Sequence, residues 1–193
     1  MSQDPRAAHV VRVLGEAAAA HARAAAGEVN AIVRAASAIA AALKRGGKVL
    51  AFGNGGSAAD AQHFVAELVG RYERPRDGWP AIALSSDPSV VTAVGNDYGF
   101  DQVFARQIQA LGRTGDVALG MTTSGASPNV LRAFETARDR GLVTIALTGR
   151  GGEAGKLASA HVRVDEDRTP RVQEVHRTVL HVLCELVEEE LCP

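Results

Sequence analysis

At 193 residues the chain is long enough to bury a full core and short enough that one domain, spanning 1–193, is the default. Its 21 Lys and Arg stand against 22 Asp and Glu with no long run of either sign, which excludes the basic stripe that draws a protein to nucleic acid and leaves a small ligand as the first expectation. The first residues lack a signal-peptide pattern, and no apolar run approaches the roughly 20 residues of a membrane span, so the expected protein is soluble and cytoplasmic.

In chain order, the first 45 residues are Ala-rich, with Val10, Val13 and Leu14 and then Val29, Ile32, Val33, Ile39 and Leu43 at helical spacing. Two helices broken near Gly27 are predicted, with small residues that suit close packing in a subunit interface or over a sheet. Short apolar runs follow at "KVLAF" (48–52), "AIAL" (81–84), "DVALGM" (116–121), "VTIALT" (143–148) and "HVRV" (161–164). They alternate with helical patterns, so a parallel sheet is expected. A last helix is predicted from Thr169 to Leu191 on the stripe Val172, Val175, Val179, Leu183, Leu186 and Val187. Cys184 and Cys192 lie roughly 12 Å apart along that helix, too far for a disulfide, and read as reduced thiols.

Ligands of open parallel sheets bind beyond the carboxyl ends of the strands, so the loops there carry the chemistry. "GNGGSA" (53–58) opens a helix with glycines that let backbone N–H groups approach an anion, although an ordinary strand-to-helix turn would use the same residues. It has neither the Lys of a Walker loop nor the third Gly of a dinucleotide fingerprint. "TTSGASPNV" (122–130) sets the hydroxyls of Thr122, Thr123, Ser124 and Ser127 at a helix start. One cap at Ser127 with Pro128 following needs one hydroxyl; four favour a phosphate cradle. His63 and Glu67 stand at i and i+4 on the helix that leaves the glycine turn, a spacing open to metal binding, proton transfer or a plain surface contact. Gln173, His176 and His181 lie along the last helix, where an apolar neighbourhood makes a core role for a His the default.

Together, "GNGGSAADAQHFVAEL", "VGNDYGF", "TTSGASPNV", "ALTGRGG" and "RVQEVHRTVLHVL" resemble the phosphoheptose isomerases of the SIS (sugar isomerase) family, in order and over nearly the whole chain. The resemblance implies a three-layer αβα sandwich, flavodoxin-like, with a five-stranded parallel sheet and N-terminal helices; a homotetramer; and active sites lined by more than one subunit. It implies conversion of sedoheptulose 7-phosphate to D-glycero-D-manno-heptose 7-phosphate through an enediol, with Glu67 and His181 as the acid–base pair. Substrate contacts would come from Asn54, Gly55, Gly56, Ser57, Glu67, Asn96, Asp97, Thr122, Thr123, Ser124, Ser127 and Gln173, with Asn96 and Asp97 expected in a loop. One zinc ion per subunit would be held by His63, Glu67, Gln173 and His181. Thr122 keeps the hydroxyl where the family usually has Ser. The competing reading is a non-catalytic phosphosugar-binding adaptor of the DnaA initiator-associating type, whose tail the ending "LCELVEEELCP" resembles; such relatives lack the residues matching Glu67 and His181.

Overall fold

The computed structural model describes residues 4–192, so Met1 to Gln3 of the N-terminal segment and Pro193 of the single domain lie outside the described residues. The elements run α1 (Pro5–Gly27), α2 (Val29–Lys44), β1 (Val49–Gly53), α3 (Gly56–Val69), β2 (Ala81–Ala83), α4 (Pro88–Tyr98), α5 (Ala105–Leu111), β3 (Val117–Thr122), α6 (Pro128–Asp139), β4 (Val143–Thr148), β5 (Ala160–Arg163) and α7 (Thr169–Leu191). The five strands form one sheet in the order β2-β1-β3-β4-β5, every pairing parallel.

Alternation along β1 shows why the sheet is covered twice. Val49 and Ala51 face a core shared with α2, α3 and α7, while Leu50 and Phe52 face one shared with α5 and α6. A strand buried on both faces reads as a continuous apolar run. Gly120 in β3 lies where a Cβ would meet Phe52 and Phe134 at 2.6 Å; its bare backbone lets those rings pack edge to face with centroids 5.4 Å apart.

Chain order reverses across the sheet between β1 and β3, because β2 lies outside β1 while β4 and β5 extend from β3. That is the switch point, where the loops leave a crevice. The break near Gly27 is a 75° bend between α1 and α2. The two helices differ: α2 buries Ala35, Ile39 and Ala40 over the sheet, whereas α1 packs on α7 and leaves Val11 and Leu14 at 72% and 65% exposure. No single helix among the described residues is long and apolar enough to cross a membrane.

One expectation needs correction. Asn96 and Asp97 are not in a loop but in the last turn of α4. The signal was present in "DPSVV": Asp87 caps the helix by accepting from Ser89 N at 2.9 Å and Val90 N at 3.1 Å, with Pro88 at the first position. No residue of α4 is fully buried, and its inward face is only the short stripe Val90, Val91 and Val94, two of which pack on the core, so the pattern by which a helix is read is weak.

Candidate active site

The N-termini of α3, α6 and α7, at Gly56, Pro128 and Thr169, meet at a cavity of about 260 Å³. Asn54, Gly55, Gly56, Ser57, Thr122, Thr123, Ser127, Thr169 and Gln173 line it with Met121, and no charged side chain among the described residues does so. Three helix N-termini supply partial positive charge and outward N–H groups, a setting for an anion that needs no Lys or Arg.

Local sequence explains how the walls are set. Gly55 turns with φ +54°, a region that favours glycine. A Cβ at Gly56 would lie 2.7 Å from Gln173 Nε2, so the absent side chain leaves the place that Gln173 fills. Asn54 and Asn129 exchange side-chain amide hydrogen bonds at 2.9 and 2.8 Å, tying the first turn to α6. Ser127 occupies the N-cap position of α6 but makes no capping bond; its hydroxyl instead meets Thr122 Oγ1 at 2.9 Å, and Ser124 Oγ lies 3.3 Å from the same atom. The capping-only reading of Ser127 is thereby set aside, because its hydroxyl belongs to the wall of the cavity.

"ALTGRGG" acts from behind. Gly149 N donates to Thr123 O at 3.2 Å and Ala154 N to Gly125 O at 3.0 Å. A Cβ on Gly125, which has φ +67°, would come within 1.9 Å of Gly151 O. The glycines therefore permit two loop backbones to touch, and the hydroxyl loop is braced by its neighbour.

From the cavity, α3 and α7 run side by side in the same direction, in contact at Gly56 with Gln173, Asp60 with Arg177, and His63 with His181. A groove of about 450 Å³, lined by Gly56, Asp60, Gln173, Glu174 and Arg177 among others, follows this seam. Arg177 Nε donates to the buried Asp60 Oδ1 at 2.9 Å. About 10 Å along α3 from Gly56, His63 Nε2 lies 2.8 Å from His181 Nε2 and 3.6 Å from Glu67 Oε1. Two imidazole nitrogens at that distance need a proton between them, so one ring donates to the other, and the carboxylate stands beside the pair. Tyr72 covers His181, ring centroids 5.6 Å apart.

His63, Glu67 and His181 are thus brought together, as are the glycine turn, the hydroxyl loop and Gln173. Gln173 is not brought to the imidazole pair: Asp60 and Arg177 lie between. Asn96 and Asp97 bond to each other at 2.8 Å on the exposed end of α4 and do not line the cavity. His176 is a core residue, its Nε2 3.1 Å from Thr148 O, and burial pulls its pKa down to about 4. The Cys184 thiol is pushed up to about 12 by burial with Glu67 and Glu188 nearby, which makes it an inert packing group. Asn129, Asp60, Arg177 and Tyr72 were missed from sequence. Asn129 stood inside a quoted motif, but its partner is 75 residues away; the others show only when α3 and α7 are laid together.

Among the described residues no group of three or more His, Cys, Asp and Glu is arranged to hold a metal ion. The donor chemistry at His63, Glu67 and His181, two imidazole nitrogens and a carboxylate, is nonetheless of the kind zinc takes.

The SIS domain family matches residues 14–149. A phosphoheptose isomerase from Aquifex aeolicus is 57% identical over 162 residues, covering 83% of this chain and 85% of that protein. Among solved structures, phosphoheptose isomerase GmhA from Neisseria gonorrhoeae has a TM-score of 0.86 at 43% identity, with 94% of this chain and 97% of that one covered. A phosphoheptose isomerase from Francisella tularensis has a TM-score of 0.91 at 39% identity, covering 95% and 98%. Fold, motif order and identity over most of both chains agree, and this chain belongs to the SIS domain family, among its phosphoheptose isomerases.

Proposed function

We infer that this chain is an aldose–ketose isomerase that converts D-sedoheptulose 7-phosphate to D-glycero-D-manno-heptose 7-phosphate, the entry to nucleotide-activated heptose synthesis. The observation that carries the chemistry is the placing, on two helices running side by side, of an uncharged cavity of about 260 Å³ at their N-termini and a carboxylate–imidazole cluster two turns further on. A heptose 7-phosphate has the same polarity: its phosphate is at one end and the reacting C1 and C2 at the other.

The hydroxyls of Thr122, Thr123, Ser124 and Ser127 and the backbone of Asn54 to Ser57 hold the phosphate end and position the sugar. Gln173 contacts the sugar from α7, whereas Asn96 and Asp97, which do not line this cavity, would contact the sugar only at a site shared between subunits. Glu67 takes the proton from one reacting carbon and returns it to the other, while His181 moves protons between the two oxygens, so the enediol forms and collapses without free charge. Each transfer contributes about 10²–10⁴-fold. Zinc, when bound, supplies Lewis-acid polarisation of the carbonyl. His63, Glu67 and His181 would hold it, with Gln173 joining only after its amide leaves Gly56. The chain works as a homotetramer with sites shared between subunits; Val10, Val11 and Leu14 on α1 are apolar surface that assembly would cover.

The test is turnover of sedoheptulose 7-phosphate followed by NMR of the product, with and without chelator and added zinc, alongside the mass in solution. Conversion to the aldose supports the isomerase, and its loss on chelation supports the metal. Absence of conversion under every metal condition would transfer the assignment to a phosphosugar-binding adaptor, and a monomeric mass would remove the shared site.

A further inference from the structure

The segment between α3 and β2, residues 70–80, carries two side chains that reach the acid–base cluster. Tyr72 packs its ring on His181. Arg76 donates to the carbonyls of Glu67 at 2.8 Å and Leu68 at 2.9 Å, closing the last turn of the helix that bears Glu67, and its guanidinium lies 3.5 Å from the Trp79 ring centroid.

What holds this segment is a single carboxylate. Glu188 on α7, with its side chain 2% exposed, accepts from Tyr72 N at 3.0 Å and Arg76 Nε at 3.0 Å on Oε1. On Oε2 it accepts from Glu73 N at 3.0 Å and Arg74 N at 2.9 Å. Burial pushes its pKa up, but the Arg74, Glu73 and Tyr72 amides and Arg76 outweigh that and hold it below the ordinary carboxylate range. Successive backbone N–H groups make a nest for an anion, here filled by the chain's own glutamate. His181, Glu185 and Glu188 share one face of α7 by their spacing, and Tyr72 Oη donates to Glu185 Oε1 at 3.3 Å.

We propose that Glu188 is a positioning residue for the isomerisation: by gathering four donors of residues 72–76 it sets Tyr72 against His181 and Arg76 under Glu67. The inference rests on the isomerase reading for its kinetic consequence, though not for its geometric one. Glu188 touches none of the reacting groups, and Glu188→Gln, which turns an NH₂ toward amide donors, releases the segment without altering the phosphate cavity.

The experiment compares wild type, Glu188→Gln, Tyr72→Leu and the double variant in full-length protein, by steady-state kinetics on sedoheptulose 7-phosphate and by NOEs between the Tyr72 and His181 rings. Expected for Glu188→Gln is a fall in kcat of about tenfold with KM held within about twofold, weakened ring NOEs, and a double variant no worse than the worse single. Unchanged kcat, a rise in KM matching the fall in kcat, or losses that multiply in the double variant would overturn it. Should wild type not turn over the sugar, the isomerase reading fails on its own, and the NOEs decide: retained in Glu188→Gln they overturn the positioning role, weakened they uphold it. If Glu188→Gln does not fold, Arg76→Gln asks the same question; lowered kcat at constant KM supports the inference and unchanged kcat refutes it.

Discussion

At the N-terminal ends of α3 and α7 the site is shaped by backbone turns and short uncharged side chains, and two turns further along the same helices it is built from ionisable side chains. The cavity is shaped by glycines that leave room, a reciprocal Asn54–Asn129 clamp, and two loop backbones pressed together at Gly125 and Gly151. Such a wall resists small changes until a Cβ is forced into it. The His63–Glu67–His181 cluster has no such frame. Its members are held by one another and by Tyr72, so they are expected to respond to changes in the segment that carries Tyr72. The proposed isomerisation would suit that contrast, because a phosphate needs a fixed position for the whole reaction, whereas acid–base groups exchange protons and move slightly as they do.

The contrast is tested most sharply by Glu67→Gln, expected to lower kcat by about 10²–10⁴-fold while sugar phosphate affinity by calorimetry and the mass in solution stay near wild type; joint loss of binding would mean that the two regions are not separable. Next comes the hidden face of α7, where His176 is buried against the end of β4 at Thr148. Its pKa is pulled from 6.5 to about 4 in the fold, so it stays neutral while the unfolded chain takes up a proton. Its contribution is therefore full above pH 6.5 and shrinks as the pH falls towards 4, by about 3 kcal/mol in all. Denaturant titrations across that window should show the decline in wild type and a flatter profile in His176→Gln.

Gly125→Ala attacks the backbone wall. With φ +67° and the Gly151 carbonyl in the way, it should cost more than about 1 kcal/mol of stability and raise KM while kcat at saturation changes little; an unchanged KM would show that the loop is not a phosphate wall. Smallest is Ser127→Ala. Because the hydroxyl makes no capping bond, the melting temperature should move less than the ~1 kcal/mol of a lost cap would move it, and KM should rise several-fold. A large drop in melting temperature with constant KM would restore the capping role.

Much of the fold could be read in advance. The five apolar runs became the five strands within one residue at each end, and "VTIALT" is β4 to the residue. The last helix also runs from Thr169 to Leu191 as expected. Both follow from burial: a strand covered on two faces and a helix covered on one leave periodic signatures in any environment. α4 escaped because its inward face is only the short stripe Val90, Val91 and Val94, none of it fully buried, and its cap was the clearest local sign. Of the candidate site, the glycine turn and the hydroxyl loop were legible as loops at the carboxyl ends of strands, and they line one cavity.

What the sequence by itself determined is the set of local choices: where strands and helices begin, which turns require glycine, and which side chains with acid, base or hydroxyl chemistry are available. Only the tertiary structure decided which of them meet. Gln173, His176 and His181 share one helix, yet one fills the space beside Gly56, one is buried against Thr148 and one faces His63. Glu188 looks like any acidic residue near a helix end until a segment more than 110 positions earlier folds its amides around it. Local preference acts over a few residues, while these partnerships depend on the register of α7 against α3, which is set by the packing of the whole α2, α3 and α7 layer on the sheet.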